Sequence, residues 1–597
     1  MKPDRRVSLK MNRPASDLLC ALGMRAWVRR FPLIGVAFVL RIELVALHPG
    51  SAAIAGGAHA VAGRNVMTVD AKQTQNWIVG GGIAGMAVAA FLVRDAGVPG
   101  ENIHILEELT IEGGSLDGAQ SPAAPGAFVT RGGRMFAEEV YQCTWDLFSS
   151  IPSLENPAVT VRQEMLTFNA RVRTEANARL IDKNHKILDA ADYGFNATDR
   201  FEMMRMLALS EKALGARRID ELFSEHFFRT NFWQMWRTTF AFQNWHSAIE
   251  LRRYFKRFIQ EFGRMDTLAG VRRTVYNQYD SMAVPLQRWL LDHNVDVRFG
   301  TRVTDVDFTD DANGRRASKL SLETSSGRSA IELGAQDYAF ITLGSITSDT
   351  SYGGNDTVPA LVRDRVDHGW SLWDEIAKKA DDFGRPNTFY GNVDENKWES
   401  FTLTMHGDTL LKRIVEFSNN DPGTGALMTW VDSGWLMSIV VPYQPHFPNL
   451  PENTYTLWGY GLLIDDEGDY VKKRMSRATG QEILTELVHQ LGFEDILDEV
   501  SATTDVTTVM IPYASALFSR RVPEDRPKVV PARSTNFAFL GQFTELPEDT
   551  VFTVEYSVHG AMHAVYELFG VDKQIPSIYH GLLDPKVGVK TLESAFR

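Results

Sequence analysis

Hydrophobic positions change their period several times along this chain, and each change predicts an element. Asn76-Trp-Ile-Val is a short apolar run into the glycines Gly80, Gly81 and Gly82. A longer, Ala-rich apolar run follows without a break as far as Arg94. The short run bounded by glycine predicts a strand and the long one a buried helix. An Ala-Gly-Val-Pro-Gly turn ends the helix, and Asn102-Ile-His-Ile-Leu-Glu107 predicts a second strand closing on an acid. Residues 155–280 are predicted to be largely helical, with Ala248, Leu251, Phe255, Phe258 and Phe262 three or four apart. Between 295 and 344 the period falls to two, in Val295–Phe299, Val303–Phe308 and Lys319–Glu323. This predicts a meander that closes in the buried strand Tyr338-Ala-Phe-Ile-Thr-Leu-Gly344. Residues 355–500 alternate strands with helices. Asn536-Phe-Ala-Phe-Leu-Gly541 predicts another buried strand into glycine, with a helix near 555–568.

The first turn carries chemistry. Gly80, Gly82 and Gly85 form a G-x-G-x-x-G pattern between strand and helix. Gly80 permits the tight turn, Gly82 lets the backbone approach a pyrophosphate, and Gly85 lets helix pack closely on strand. The helix N-terminus offers free N–H groups to phosphates, and Glu107 falls where a carboxylate binds ribose hydroxyls. A structural glycine turn is the competing explanation, and the flanking strands, helix and acid weigh against it. Two more glycine-rich loops follow, Gly113–Gly118 and Thr130–Phe136. They favour an extended, permanently held FAD over NAD. The alternative is a pair of surface turns, but Arg131 and Arg134 suit phosphate or a flavin carbonyl. The expected fold class is α/β: a Rossmann-like FAD-binding domain with a discontinuous α+β substrate domain and a helical segment.

Composition narrows the partners. The 597 residues carry a formal net charge of −13, which argues against nucleic acid. The two cysteines, Cys20 and Cys143, give neither a disulfide framework nor metal-ligand spacing, and suit a reducing compartment. No metal site is expected. Aromatic runs at 227–228, 232–236 and 240–242 are expected to be ordinary core, with the wall of an apolar tunnel as the alternative. Residues 1–66 carry ten basic residues against three acidic ones and break this pattern. Their apolar stretch at 31–47 is interrupted by Arg41 and Glu43 and is short for a membrane span. They are expected to be an extension outside the fold, with a targeting signal left open. The remaining organisation is a cofactor unit at 70–150, a largely helical substrate or lid region at 151–285 and a cofactor-domain meander at 286–350. A substrate domain follows at 351–500, a return to the cofactor domain at 501–570 and a C-terminal segment at 571–597. His246 and Glu250, one turn apart, are expected to be a pair on a helix surface. The chain shows no G-x-S-x-G elbow, H-E-x-x-H pair or Walker sequence.

Arg131-Gly-Gly-Arg-Met-Phe136, Thr238-Thr-Phe-Ala-Phe-Gln-Asn-Trp-His246, Tyr276-Asn-Gln-Tyr-Asp280, Gln444-Pro-His-Phe447, Trp458-Gly-Tyr-Gly461 and Val554-Glu-Tyr-Ser557 resemble the oleate hydratases, once called myosin-cross-reactive antigens. The resemblance runs from about residue 74 to about 570. It implies a hydro-lyase that adds water to a cis double bond of a free unsaturated fatty acid, oleate or linoleate, with FAD bound although the net reaction is not redox. The implied cofactor positions are Gly80, Gly82, Ala84, Gly85, Glu107, Glu108, Ser115, Arg131, Gly133, Arg134, Met135, Val303 and Ser557. The implied proton donor is Tyr254, whose phenol the adjacent Arg252 and Arg253 are expected to make more acidic. Gln278 and His446 match substrate positions.

Two departures stand out. Where the family usually carries a glutamate that orients or activates water, this chain has Met135, as does a minority subgroup. A thioether is neither base nor acid, and Glu138 and Glu139 are the nearby substitutes. The usual threonine and asparagine that hold the substrate carboxylate appear here as Val440 and Pro442, so the head group is expected to be held differently. A redox flavoenzyme of the amine-oxidase or desaturase type and a weakened fatty-acid-binding flavoprotein remain alternatives. A cytoplasmic monomer or homodimer that meets its substrate at a membrane surface is the expected setting.

Overall fold

The computed structural model describes residues 70–595 apart from Asp117, Gly133, Arg134 and Ala426. The expectations for residues 1–66, Gly133 and Arg134 lie outside the described residues. A five-stranded parallel sheet forms the cofactor layer. Its order is Phe537–Leu540, Tyr338–Thr342, Asn76–Val79, Ile103–Leu106 and Asp296–Arg298. The first four are short, mostly apolar and largely buried, as a parallel sheet covered by helices requires, while the edge strand Asp296–Arg298 is partly exposed. The helix Ile83–Arg94 covers one face. Ten of its twelve residues are buried, and it ends before Gly97, whose φ of 70° turns the chain back. The helix Val554–Phe569 packs against it, capped by the Thr553 side chain, which accepts from Tyr556 N–H, and terminated by left-handed Gly570. The predicted meander is present as the antiparallel strands Arg302–Asp311, Gly314–Thr324 and Gly327–Glu332.

A second, seven-stranded sheet runs in the order Ser351–Gly353, Thr504–Ile511, Trp398–His406, Thr454–Gly461, Met437–Val440, Met428–Trp430 and Leu180–Ile181. All its pairings are antiparallel except the last. The long central strands bury nearly every side chain, so they show no period of two. The helices Asn231–Phe240 and Ala248–Arg257 lie in the intervening helical region. The aromatic runs are mainly core: Phe227, Phe232, Trp233 and Trp236 are fully buried against one another and Phe242 is buried against Tyr254 and Phe518, and only Phe240 and Ala241 of these runs reach the cavity described below.

Candidate functional site

The glycine turn has the geometry that its sequence requires. Gly80 takes φ 94°, beyond the reach of most side chains. A Cβ on Gly85 would run into the Gly80 carbonyl oxygen and press on Ile78, so Gly85 serves helix-on-strand packing. Gly82, the N-cap, has φ −72° and ψ 176°, which any residue adopts. A Cβ there would meet nothing closer than Gly114 Cα at 3.7 Å. The protein itself therefore leaves room at Gly82, beside the free N–H groups of the first helical turn that holds Ala84. Gly113 N–H donates to the Gly81 carbonyl at 3.0 Å, bringing the second glycine loop, with half-buried Ser115, beside the first. Arg131 ties this loop to the 345–350 turn by donating to the carbonyls of Gly114 at 3.2 Å and Thr347 at 3.4 Å. The residues around the turn fit a dinucleotide.

The acids near the turn divide their roles. Glu107 accepts from Gly81 N–H at 2.6 Å and Leu109 N–H at 2.8 Å, and burial raises it above the usual carboxylate range. Its oxygens thus brace the turn. Glu108 contacts His368 instead. Glu112, which sequence reasoning missed, is buried beside Gly81 and Glu107. Neither of its oxygens is hydrogen-bonded among the described residues, although Gln287 lies near, and burial with the Glu107 charge pushes it up to about 7. Val303 is buried on the first meander strand, and Ser557, on the helix Val554–Phe569, accepts from Gln542 at 2.8 Å.

Beside this cradle lies a largely apolar cavity with about 1340 Å³ of empty space, its open mouth included. Arg131, Gly132, Met135, Ile346, Thr553 and Val554 form the wall nearest the cradle. Tyr254 lies in the wall with Tyr141, Phe240 and Phe258, and Trp398, Val440, Trp458 and Ile511 contribute the face of the second sheet. Tyr254 is fully buried and its hydroxyl donates to the Val551 carbonyl at 2.6 Å.

The expected activation of Tyr254 by Arg252 and Arg253 does not occur. Successive helical residues point about 100° apart, and Arg253 turns away to Glu211 at 2.8 Å and Glu545 at 2.5 Å, with Arg252 3.9 Å from Glu211. Burial, with smaller contributions from Tyr141, Glu250 and Asp549, raises the Tyr254 phenol well above its ordinary value. The expectation for His246 and Glu250 is also corrected. Both are buried, His246 accepting from Gln243 N–H at 3.0 Å while Glu250 binds Arg521 at 2.7 Å and Arg526 at 3.0 Å.

Met135 reaches the cavity, and Tyr141 donates to its carbonyl at 3.1 Å. Glu138 and Glu139 do not line it: their carboxylates lie 3.5 Å from Arg272 and 3.4 Å from Arg264. The carboxylate in the wall is Glu261, buried and raised by burial although Arg264 holds it at 2.8 and 2.6 Å. Gln278 and His446 sit beside the cavity rather than in its wall. The Gln278 side chain is buried, and the His446 carbonyl accepts from Asn277 N–H at 2.9 Å. Arg273, adjacent to the exposed-looking Arg272 in sequence, does line the cavity. A basic doublet just before the Tyr276 motif was its only signal.

A family model described as MCRA matches residues 73–566. An oleate hydratase from Streptococcus pyogenes serotype M49 (strain NZ131) is 39% identical over 86% of this chain and 88% of its own length. A linoleate hydratase from Lactiplantibacillus plantarum is 33% identical over 87% of this chain and 98% of its own. Among solved structures, the cyclohexylamine oxidase from Brevibacterium oxydans IH-35A aligns at TM-score 0.49 and 13% identity, covering 83% of this chain and 99% of its own. The family match takes in the glycine turn, the Tyr254 helix and the cavity walls together, and the chain belongs to the MCRA family.

Proposed function

We propose that this protein is a FAD-binding hydratase that adds water across a cis double bond of a free unsaturated fatty acid. The observation that carries the reading is a buried phenol, Tyr254, in the wall of a largely apolar cavity that shares Arg131 with the dinucleotide cradle. The named activities of the hydratase relatives support the same reading. Gly82, Glu107, Ser115 and Arg131 would hold FAD. When bound, FAD supplies electrostatic and structural support to a reaction without net electron transfer.

An isolated alkene is a weak base, so its protonation needs a donor held in place and shielded from competing water. The Tyr254 O–H bond breaks as a C–H bond forms on one alkene carbon, and the oxygen of water bonds to the other. The second proton of that water returns to the phenolate, directly or by way of Glu261, so that alkene and water together become an alcohol. Leaving the Val551 carbonyl for the substrate costs Tyr254 one hydrogen bond, worth about 1 kcal/mol. Its raised pKa keeps the proton in place until an acceptor arrives.

Incubation of the purified holoprotein with oleate in heavy-oxygen water tests the reading. Mass spectrometry is expected to show a hydroxy acid carrying one heavy oxygen. A desaturated or oxidised product would mark a redox enzyme, and unchanged oleate a binding protein.

A further inference from the structure

Buried arginines in this protein fall into two groups. In the first, every cation has its acid. Arg253 lies against Glu211 and Glu545, Arg257 is 3.2 Å from Asp549, and Arg521 and Arg526 share Glu250. In the second, formed by buried Arg179 and Arg237 and half-buried Arg273, no carboxylate lies within ion-pair distance among the described residues; Arg237 donates instead to the Gln243 side chain at 2.5 Å. Arg179, buried, donates to the Leu427 carbonyl at 2.5 Å and to Thr239 at 3.0 Å, and Asp266 acts on it only from longer range. Arg273 donates through Nη2 to the Gly425 carbonyl at 3.0 Å, and its Nε has no acceptor. Burial pushes both guanidiniums down to about 10.

Arg179 and Arg273 both lie at the cavity wall. Thr239, Leu427 and Arg273 are in its wall, with Arg179 directly behind the first two. The Arg273 charge adds to burial in lowering the Arg179 guanidinium. His446 lies near enough that Arg273 adds to the effect of burial in depressing its imidazole to about 4, so it adds no charge at neutral pH. Burying an unpaired cation is costly, and an arrangement of two is explained most simply by an anion that completes it. Much of the remaining wall is apolar, with Arg131, Glu261 and several hydroxyl groups as its other polar members, and Val440 offers no hydroxyl there.

We propose that Arg273, supported from behind by Arg179, binds the carboxylate of the fatty acid and sets the chain's direction in the cavity. The planar guanidinium offers paired donors that suit a carboxylate. This takes over, at a different place in the sequence, the anchoring for which Val440 and Pro442 are unsuited. The identity of the ligand rests on the hydratase reading, but the anchor does not require turnover.

The test measures binding of oleate and of oleyl alcohol, an uncharged ligand of the same chain length, to holoprotein by calorimetry. The parent is expected to prefer oleate. Arg273→Leu should weaken oleate about 10- to 100-fold while leaving the alcohol nearly unchanged, and Arg273→Lys should recover part of the loss. Flavin absorbance and the melting temperature report whether each variant is folded. Arg273→Gln, which keeps the donor to Gly425, replaces the leucine variant if that one fails to fold. Equal losses for both ligands would mean a packing role and overturn the proposal, as would unchanged oleate affinity. Preference for oleate that depends on Arg273 without any hydration in heavy-oxygen water would retain the anchor and reject the hydratase. Hydration that is indifferent to Arg273 would do the reverse.

Discussion

At the scale of single residues, Tyr254 was legible from its motif and its neighbours' effect on it was not. Adjacency in sequence suggested that Arg252 and Arg253 would acidify the phenol. A helix sends adjacent side chains to different faces, so the charges that matter to Tyr254 come from elsewhere: Tyr141, Glu250 and Asp549, all unfavourable to ionisation. A donor of this kind contributes by position rather than by acidity. Tyr254→Phe keeps the ring contacts with Phe240 and Phe258 and removes the proton. Hydration should fall about 100- to 10,000-fold, the usual span of a general acid, while flavin content stays at the parent level. Because the folded phenol titrates above its ordinary value, the parent should show no loss of rate from Tyr254 ionisation as pH rises from 7 to 9. A variant that hydrates oleate at the parent rate, measured by product mass spectrometry, would remove Tyr254 from the reaction.

At the scale of elements, the glycine turn was the most legible part of the chain, because each glycine answers a local backbone demand. The structure separates those demands. Gly85 is needed by the protein itself, since a Cβ would collide with the Gly80 carbonyl. Gly82 meets no such obstacle, so its small size matters only to what approaches from outside. Gly85→Ala should therefore destabilise the chain by about 1–3 kcal/mol with or without flavin. Gly82→Val should fold with an unchanged melting temperature in flavin-free form and fail to retain FAD. Full flavin occupancy in Gly82→Val, read from the absorbance ratio, would move the cofactor away from this turn. The cavity was far less legible. Its charged part depends on the ladder in which Phe136 faces Arg272 and Ala137 faces Val271, bringing Arg273 next to Met135. No local pattern announces a contact across so long a separation. Proximity to Met135 in sequence points to Glu138 and Glu139, which pair with Arg272 and Arg264, whereas the carboxylate in the wall is Glu261.

At the scale of the whole molecule, the Tyr254 helix is held by charge as well as by apolar packing. Glu250 on that helix is fully buried between Arg521 and Arg526, while Arg253 reaches Glu545, and Arg521 lies 3.2 Å from the same acid. The helix Ala248–Arg257 is thereby fixed to segments nearly 300 residues later, including the stretch that carries the Val551 carbonyl. Sequence periodicity showed the apolar stripe of this helix but not the network, because Glu250 reads as an ordinary surface acid until its partners are known. Burial alone would raise the Glu250 carboxyl, but Arg526, Arg521 and Arg253 outweigh it and hold it down to about 2. A carboxyl whose folded pKa is depressed adds stability that is present above its unfolded value, near 4.5, and is lost as pH falls through the folded one. Glu250→Gln leaves two buried guanidiniums without their shared anion and should cost about 3–5 kcal/mol. The deficit, read from urea unfolding, should be the same at pH 5.5 and pH 8, since the parent carboxyl is ionised at both. It should shrink only in acid, as the parent's own carboxyl approaches protonation near pH 2. A deficit below about 1 kcal/mol, the scale of a surface pair, would mean that packing alone positions Tyr254.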